Sequence, residues 1–407
     1  MITLTARIEN ERTGLLALVL AALAMLGPFS IDAVFPGFPD IGHTFGTPAA
    51  ALQQIIGLYL LAYGIASLFH GALSDAYGRK PVMIVGMGFY AIASAGAAIA
   101  TSYTMLLVFR VFQGMCGGAG MVVGRAMIRD RLHGEHAQRL MSRIMMIFAV
   151  APAIAPVIGA WLLGVDGWRG IFWVLAGYAL CMMLAVTFLL PESHPTDRRE
   201  PFIPARLIAG YKGILGDRAF WPLVVSSMVN FSGLFLFIAS APAIVLDRLH
   251  LGTHGFPWLF VPVVVGLMIG GALSGRLAGR ISDTRTVGMG YVLMLAACAL
   301  HLLLGLILHP PSVPWSLLPL TLQGIGVQLA FPTLTLLLLD RFPLRRGAVS
   351  SLQAGLSLLG NAFVAGILSP LLSASLLRLA MGSTALTVAG AIAWATYVHA
   401  GKRMPND

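Results

Sequence analysis

The sequence of 407 residues contains few charged residues. Asp, Glu, Lys and Arg together make up 10% of the chain, whereas soluble domains average about 25%. Hydrophobic residues make up 58%, which excludes an ordinary soluble enzyme and a disordered chain. The apolar residues lie in continuous runs rather than alternating with polar ones, which excludes an outer-membrane β-barrel. The composition therefore predicts an all-α integral membrane protein.

Cysteine is also scarce. Cys116, Cys181 and Cys298 each lie inside an apolar run, and none forms a C-x-x-C pair. We therefore expect neither a disulfide framework nor a metal site, and we interpret the three thiols as small packing groups. No Walker sequence is present, which argues against ATP hydrolysis. The sequence thus indicates no cofactor.

Apolar runs that are long enough to cross a bilayer recur along the whole chain. One helical span needs about 20 apolar residues, so twelve spans would use about 240 residues. Such a chain has almost no room left for a soluble domain. The predicted spans are residues 14–36, 51–73, 82–100, 104–126, 140–164, 170–190, 220–246, 256–279, 286–308, 314–338, 349–372 and 380–400.

The longest polar stretch, residues 191–219, divides the spans six and six. Its prolines and basic residues indicate a cytoplasmic linker, with an amphipathic helix near residues 204–216 that lies on the membrane surface. We therefore predict an N-terminal six-helix half over 1–190 and a C-terminal six-helix half over 220–407.

Two short repeats support this division. The string Gly-Ala-Leu-Ser at residues 71–74 recurs at 271–274, and Gln113-Gly114 is echoed by Gln323-Gly324. Both pairs fall at equivalent places in a six-plus-six layout. Two parallel six-helix repeats are the architecture of a transporter whose halves rock about a central cavity.

Basic residues predict the orientation of the chain. The net charge is +10, with 26 Lys and Arg residues. With both termini in the cytoplasm, 22 of these lie on the cytoplasmic side, Arg110 lies inside a span, and Arg169, Arg248 and Arg378 lie outside. This asymmetry follows the positive-inside rule, so we assign the excess charge to topology rather than to a nucleic-acid partner.

Several motifs resemble one transporter family. Residues Gly71–Pro81 read GALSDAYGRKP and meet every fixed position of the G-x-L-x-D-x-x-G-R-K/R loop of the major facilitator superfamily. Span 4 carries Arg110-Val-Phe-Gln-Gly, similar to its R-x-x-Q-G motif. Residues 151–160 resemble the Gly/Pro-rich antiporter signature, with Ala155 where glycine is usual. Residues 32–39 resemble the D-x-x-x-P-x-x-P of bacterial drug exporters, and Trp168-Arg-x-x-Phe also fits.

Together these motifs resemble the bicyclomycin and chloramphenicol/florfenicol resistance (Bcr/CflA) branch of drug:H⁺ antiporters. The resemblance implies the major facilitator fold and proton-coupled efflux of small amphipathic drugs across a bacterial inner membrane by alternating access. The partners would be a small-molecule substrate, protons and the bilayer, with the proton gradient as the energy source. We expect a monomer with both termini in the cytoplasm.

The resemblance also implies two mechanical elements. A conformational latch at the cytoplasmic face would comprise Gly71, Asp75, Gly78, Arg79 and Asp130. Arg79 would pair with Asp130, and Asp75 would meet the N-terminal end of span 11 near residues 347–350. The alternative for Arg79 and Lys80 is a solvated loop that only sets the topology. The antiporter motif would supply a hinge or a seal in span 5, which the sequence does not distinguish; its residues are Pro152, Pro156 and Gly159.

Asp32 and Arg110 are the charged residues that lie within apolar spans, whereas the others fall in loops, at span ends or in the tails. An ionised group in the bilayer costs several kcal/mol unless it is paired or solvated, so such residues usually line a cavity. Apolar surroundings favour the protonated carboxyl, whereas a nearby arginine favours the carboxylate. We therefore predict that Asp32 carries the proton. The alternatives for Asp32 are that it caps a broken helix near Pro36 or forms a static pair with Arg110. Arg110 itself is either a conformational anchor or a direct ligand of the proton or substrate.

Polar and aromatic residues inside the spans are candidates for the substrate cavity, although each could equally pack between helices. They are Tyr59, Tyr63, Gln113, Asn230, Phe235, Gln323 and Asn361.

Other functions remain possible on the same evidence. The chain could export an endogenous metabolite or amino acid, or it could be an uptake symporter. A membrane enzyme should show intramembrane histidines or paired carboxylates, but His301 is the one histidine well inside a span, and packing explains it. A receptor should carry a sizeable sensor domain. We therefore predict a secondary transporter rather than an enzyme or receptor.

Overall fold

The computed structural model describes residues 2–131, 134–199, 201–308 and 310–401. Within these ranges the chain forms helices and turns and no β-strand, so the predicted all-α class is confirmed. The helices are α1 (Ile2–Asp32), α2 (Phe38–Phe45), α3 (Ala49–Leu52), α4 (Gln54–Tyr77), α5 (Arg79–Ala98), α6 (Tyr103–Arg131), α7 (Gly134–Leu189), α8 (Pro204–Leu215), α9 (Phe220–Ala239), α10 (Pro257–Leu277), α11 (Asp283–Ile307), α12 (Pro319–Arg341), α13 (Arg346–Phe363), α14 (Ser369–Leu372) and α15 (Leu376–Gly401).

Eleven helical segments in the described ranges are long and apolar enough to cross a membrane. One of them, Val150–Leu189, has 40 residues, or about 60 Å of helix, which is twice the ~30 Å hydrocarbon core. Non-helical dihedral angles at Asp166 and Gly167, where φ is +63° at the glycine, break this segment. It therefore supplies two spans, at the place where the sequence predicted the end of span 5 and the start of span 6.

The chain divides into two compact units. The first unit comprises residues 1–41 and 65–203, and the second comprises 42–64 and 204–407, of which 402–407 lie outside the described residues. The boundary at Ile203 falls inside the predicted linker, and a second boundary crosses α4 at Gly64. The expected linker helix is present as α8.

In the first unit, α1 packs against α6 and α7, and α5 packs against the same two helices. Leu23, Tyr90 and Phe172 are buried in this core. Small residues bring α6 close to α1, since a Cβ atom at Gly120 would lie 3.1 Å from the Leu23 Cβ. Close helix approach through glycine is the usual packing mode of membrane helices.

In the second unit, α9 packs against α12, α13 and α15, while α12 also packs against α10 and α11. Phe237, Phe260 and Leu320 are fully buried there. The backbones of α11 and α12 approach closely, because a Cβ atom at Gly326 would lie 2.6 Å from the Gly290 carbonyl oxygen.

Candidate functional site

Asp32 is the last residue of α1 and is only 3% exposed. Pro36 lies in the 3-10 turn Phe35–Gly37 that follows, and it has no backbone N–H with which to continue the hydrogen-bond ladder of α1. Among the described residues, no Lys, Arg or His nitrogen lies within 4.0 Å of the Asp32 carboxylate. Asp32 is therefore a buried carboxyl group without a salt bridge to any residue that the structure describes.

Arg110 belongs to a buried polar network in the first unit. Its Nη1 donates to Gln113 Oε1 at 2.9 Å, and Gln113 Nε2 donates to Ser94 Oγ at 2.7 Å. The Ser94 hydroxyl donates to the Tyr90 carbonyl at 2.8 Å, and the Tyr90 hydroxyl bonds to Ser30 Oγ. These side chains are all fully buried. The network thus extends from Arg110 on α6, through α5, to the residue two positions before Asp32 on α1.

The aromatic ring of Phe172 on α7 also lies near Arg110. The guanidinium carbon lies 6.0 Å from the ring centroid, which is the outer limit for a cation–π interaction. Gln113, predicted as a cavity residue, is therefore a bonded neighbour of Arg110.

The antiporter motif on α7 lies against the segment that follows Asp32. Ala151, Ala155 and Gly159 recur every four residues and are buried on one face of the helix. A Cβ atom at Gly159 would overlap the Ala33 carbonyl oxygen. Glycine is thus required at this position for α7 to contact the α1 backbone directly. Pro152 and Pro156 lie inside the same helix, and whether they act as a hinge stays a prediction.

Arg79 is the centre of an ionic cluster at the start of α5. Its Nη1 donates to Asp75 Oδ1 at 2.5 Å and to Ser74 Oγ at 2.6 Å, and its Nε donates to Asp130 Oδ2 at 2.9 Å. The Arg79 side chain is 8% exposed. Gly78 makes the turn between α4 and α5 with φ of +99°, a value that glycine adopts without strain.

The Arg79–Asp130 contact expected from the resemblance is therefore present. Gly71 lies in the same segment, and its carbonyl oxygen accepts a hydrogen bond from Ser74 Oγ at 2.8 Å. That this cluster acts as a latch stays a prediction.

Glu192, which the sequence reasoning missed, holds the N-terminus of α5. Its carboxylate accepts hydrogen bonds from the backbone N–H groups of Arg79 at 3.1 Å and Lys80 at 3.2 Å. It also accepts from the backbone of Ser193 and His194 at 2.8 and 2.9 Å. A carboxylate at a helix N-terminus satisfies unpaired donors and complements the helix dipole. The signal in the sequence was an acidic residue directly after Pro191, at the end of an apolar span.

The segment after α7 is also tied to this cluster by other contacts. Ser193 Oγ donates to Asp130 Oδ2 at 3.0 Å, and Lys80 Nζ donates to the Thr187 carbonyl at 2.6 Å. The start of α5, the end of α6 and the end of α7 thus meet around two carboxylates.

The other six candidate cavity residues lie in the second unit. Gln323 Nε2 donates to Ser383 Oγ at 2.9 Å, and Asn361 Oδ1 accepts from Ser232 Oγ at 3.4 Å. Asn230 is 2% exposed and contacts Met294. These groups bond to different neighbours rather than to one another.

The three aromatic candidates form ring pairs. The Tyr59 and Tyr63 ring centroids are 6.0 Å apart in an edge-to-face arrangement, and Phe235 lies 5.8 Å from Phe231. Such pairs are typical of packed aromatic cores. Their role in a substrate cavity stays a prediction.

Comparisons with known proteins are consistent with this arrangement. The sequence model of a family described as Major Facilitator Superfamily matches residues 18–365. Multidrug resistance protein D of Escherichia coli is 27% identical over 384 residues, which cover 93% of each chain. A bicyclomycin resistance protein homolog of Haemophilus influenzae is 28% identical over 255 residues, or 61% of each chain.

Solved structures show the same fold. The D-xylose–proton symporter superposes with a TM-score of 0.72 at 15% identity, covering 94% of this chain and 96% of that one. The human organic anion transporter MFSD10 superposes with a TM-score of 0.68 at 18% identity, covering 95% and 99%.

Proposed function

Because the chain belongs to the Major Facilitator Superfamily and is a multi-pass membrane transporter of small molecules rather than an enzyme, we propose that it exports amphipathic drugs in exchange for protons. The exchange takes place across a bacterial inner membrane by alternating access. The proton gradient is the energy source.

The buried carboxyl group of Asp32 is the observation that carries this proposal. It has no basic partner within 4.0 Å among the described residues and is 3% exposed. An ionised carboxylate in such surroundings costs several kcal/mol. The protonated form is uncharged and avoids this cost, so Asp32 is suited to take up a proton and to release it only when its surroundings change.

Coupling requires that the surroundings of Asp32 respond to the substrate. The Ala33 carbonyl directly after Asp32 is in contact with Gly159 on α7, and Ser30 before it is bonded to Tyr90 on α5. A movement of either helix therefore changes the position of the carboxyl group relative to water and to Arg110. A substrate that displaces the proton from Asp32, or that moves these helices, would couple its own transport to proton movement.

The named relatives favour efflux of drugs over uptake by a symporter and over export of a metabolite or amino acid. Two of them carry multidrug or bicyclomycin resistance in their names. The likeness to a D-xylose–proton symporter is at 15% identity and concerns the fold alone.

The test is a proton-exchange assay in vesicles. Purified protein is reconstituted into liposomes with an acidic interior and an internal pH-sensitive dye, and chloramphenicol or a cationic dye is added outside. We expect the interior to become alkaline with the wild type and not with Asp32→Asn. Asp40→Asn is the matched control, because Asp40 is an exposed carboxylate eight residues further along the chain, and it should behave as the wild type.

The outcomes separate the alternatives. Exchange that survives Asp32→Asn would contradict the assignment of the proton carrier. No exchange with any drug, from protein that elutes as a folded species, would contradict drug efflux and favour a metabolite exporter or a symporter. A measurement of drug binding below and above neutral pH adds a second readout, since binding should lose its pH dependence in Asp32→Asn.

A further inference from the structure

A cavity of about 250 Å³ lies inside the second unit. It is formed where α9 and α11 end, next to the turn Ala243–Arg248 and the start of α15. This volume is below the roughly 300–1,000 Å³ of pockets for drug-sized ligands. The residues that matter for its chemistry are Phe237, Arg248, His301, Leu304, Ser316 and Leu377.

His301 is the buried polar side chain in the wall of this cavity. It is 5% exposed, and neither ring nitrogen has a hydrogen-bond partner among the described residues. Phe237 stacks on the imidazole with ring centroids 4.5 Å apart and covers one of its faces. Buried polar groups in native proteins are nearly always hydrogen-bonded. A ligand in the cavity that offers an oxygen would satisfy the ring nitrogen that carries the proton.

The exposed side of the cavity, called its mouth below, carries Arg248, and a second arginine follows a cavity residue in the chain. Arg248 lines the cavity and is exposed, and no acidic side chain in the described ranges lies within 4.0 Å of its guanidinium. Arg378, also exposed, follows Leu377 and has its backbone N–H bonded to the cavity residue Ser375 at 3.2 Å. These are two of the three arginines predicted outside the membrane, where basic residues are depleted. The mouth therefore suits an anionic group.

Several exposed side chains that neighbour the cavity residues in the chain are apolar. Leu303, Leu306 and Ile307 on α11 are between 52% and 66% exposed, and Trp315 is 57% exposed. In a membrane protein such side chains face lipid, and an exposed tryptophan marks the interface with the headgroups. The helix that supplies His301 and Leu304 to the cavity thus also presents apolar side chains that suit contact with lipid.

We propose that this cavity binds one anionic phospholipid of the surrounding membrane. Arg248 binds the phosphate, the His301 N–H donates to an ester carbonyl oxygen, and Leu304 and Leu377 contact the first part of an acyl chain. His301 lies six residues before the end of α11, or about 9 Å deeper along the helix than that end, and Arg248 lines the same cavity and is exposed. This site is separate from drug efflux and does not depend on it.

The test is lipid binding to the delipidated full-length protein in detergent, measured by native mass spectrometry. The probes are phosphatidylglycerol, phosphatidylcholine with the same acyl chains, and glycerol 3-phosphate. Both lipids offer a phosphate to Arg248, but the choline cation of phosphatidylcholine cancels the phosphate charge and is repelled by the guanidinium, so we expect phosphatidylglycerol to bind about tenfold more tightly. Arg248→Gln should remove this preference.

Two further variants define the place of binding. Gly305→Leu puts a side chain into the cavity, which Gly305 lines, and should abolish lipid retention. Arg285→Gln is the matched control, because Arg285 is an exposed arginine at the opposite end of α11, and it should bind as the wild type. If Gly305→Leu does not fold, the comparison of Arg248→Gln with Arg285→Gln still tests the proposal. Arg248 is on the surface, so its substitution should leave the fold intact.

Three results would overturn the proposal. Equal binding of the two lipids would show that the headgroup charge is not recognised. Binding of glycerol 3-phosphate as tight as that of phosphatidylglycerol would show a site for free phosphate esters rather than lipid. Unchanged binding in both Arg248→Gln and folded Gly305→Leu would place the lipid elsewhere. None of these readouts involves transport, so they leave the proposed function untouched.

Discussion

The carboxylate of Glu192 stabilises the N-terminus of α5, and its removal should loosen that end of the helix. Its Oε1 accepts from Arg79 N and its Oε2 from Lys80 N. Glu192→Ala removes both acceptors and leaves the first amides of α5 with water alone. Glu192→Gln retains one carbonyl oxygen and loses the charge.

The size of the effect follows from these contacts. A hydrogen bond to a charged group contributes about 1.5–3 kcal/mol. The Glu192 side chain is 26% exposed, so water replaces part of what is lost. We therefore expect Glu192→Ala to lower the local opening free energy by about 2 kcal/mol, or about 30-fold in exchange rate. Glu192→Gln should cost about half of this, roughly 1 kcal/mol.

Hydrogen–deuterium exchange with mass spectrometry on the peptide that contains residues 79–86 measures this directly. Asp197→Asn is the control, because Asp197 is an exposed acid in the same linker. We expect the exchange rates to rank Glu192→Ala above Glu192→Gln, with Asp197→Asn equal to the wild type. Wild-type exchange in Glu192→Ala would refute the reasoning that this carboxylate caps the helix.

Three further changes have expected outcomes. Gly159→Ala should destabilise the protein by about 1–3 kcal/mol and slow drug exchange, because the new Cβ atom overlaps the Ala33 carbonyl. Gly164→Ala in the same helix is the control and should be neutral, because its Cβ would have no atom within 4 Å. Equal thermal midpoints of the two variants would contradict the close packing. Gln113→Leu loses two hydrogen bonds. Gln323→Leu loses one, because the Oε1 atom of Gln323 has no partner in the described ranges. Gln113→Leu should therefore lower the thermal midpoint more than Gln323→Leu, and the reverse order would contradict this. Asp130→Asn removes the carboxylate that is bonded to Arg79. If the cluster acts as a latch, this variant should change the maximal rate of drug exchange and leave the drug affinity unchanged. A change in affinity alone would count against a latch.

Much of the fold could be predicted because each span is specified locally. About 20 consecutive apolar residues suffice to cross the bilayer whatever their neighbours are. The predicted break between spans 5 and 6 and the predicted linker helix near 204–216 both depend on adjacent residues, and both are present. The family was recognisable for the same reason, since the loop at 71–81 is contiguous in the chain.

The surroundings of the candidate site could be predicted only in part. Asp32 and Arg110 stood out because a charge inside an apolar run is visible in the sequence. The partners of Arg110 in its network are neutral residues on α5 and α6, such as Ser94 and Gln113. Nothing in the sequence distinguishes a serine that faces this network from one that faces lipid.

His301 was interpreted from the sequence as a packing residue, and its stacking on Phe237 agrees with that interpretation. The structure adds the cavity beside it, which is formed by residues as far apart in the chain as Phe237 and Leu377. Such a site has no local pattern in the sequence.

The sequence by itself determined the class of the molecule, the positions of its helices and the two charged residues in its spans, because hydrophobic length, proline, glycine and charge act over a few neighbouring residues. The tertiary structure decided which polar groups meet. It brought Glu192 to the start of α5, joined Arg110 to Ser94 through Gln113, and set Gly159 against the backbone next to Asp32. These contacts join helices that are distant in the chain, and helix packing rather than local propensity determines their distances.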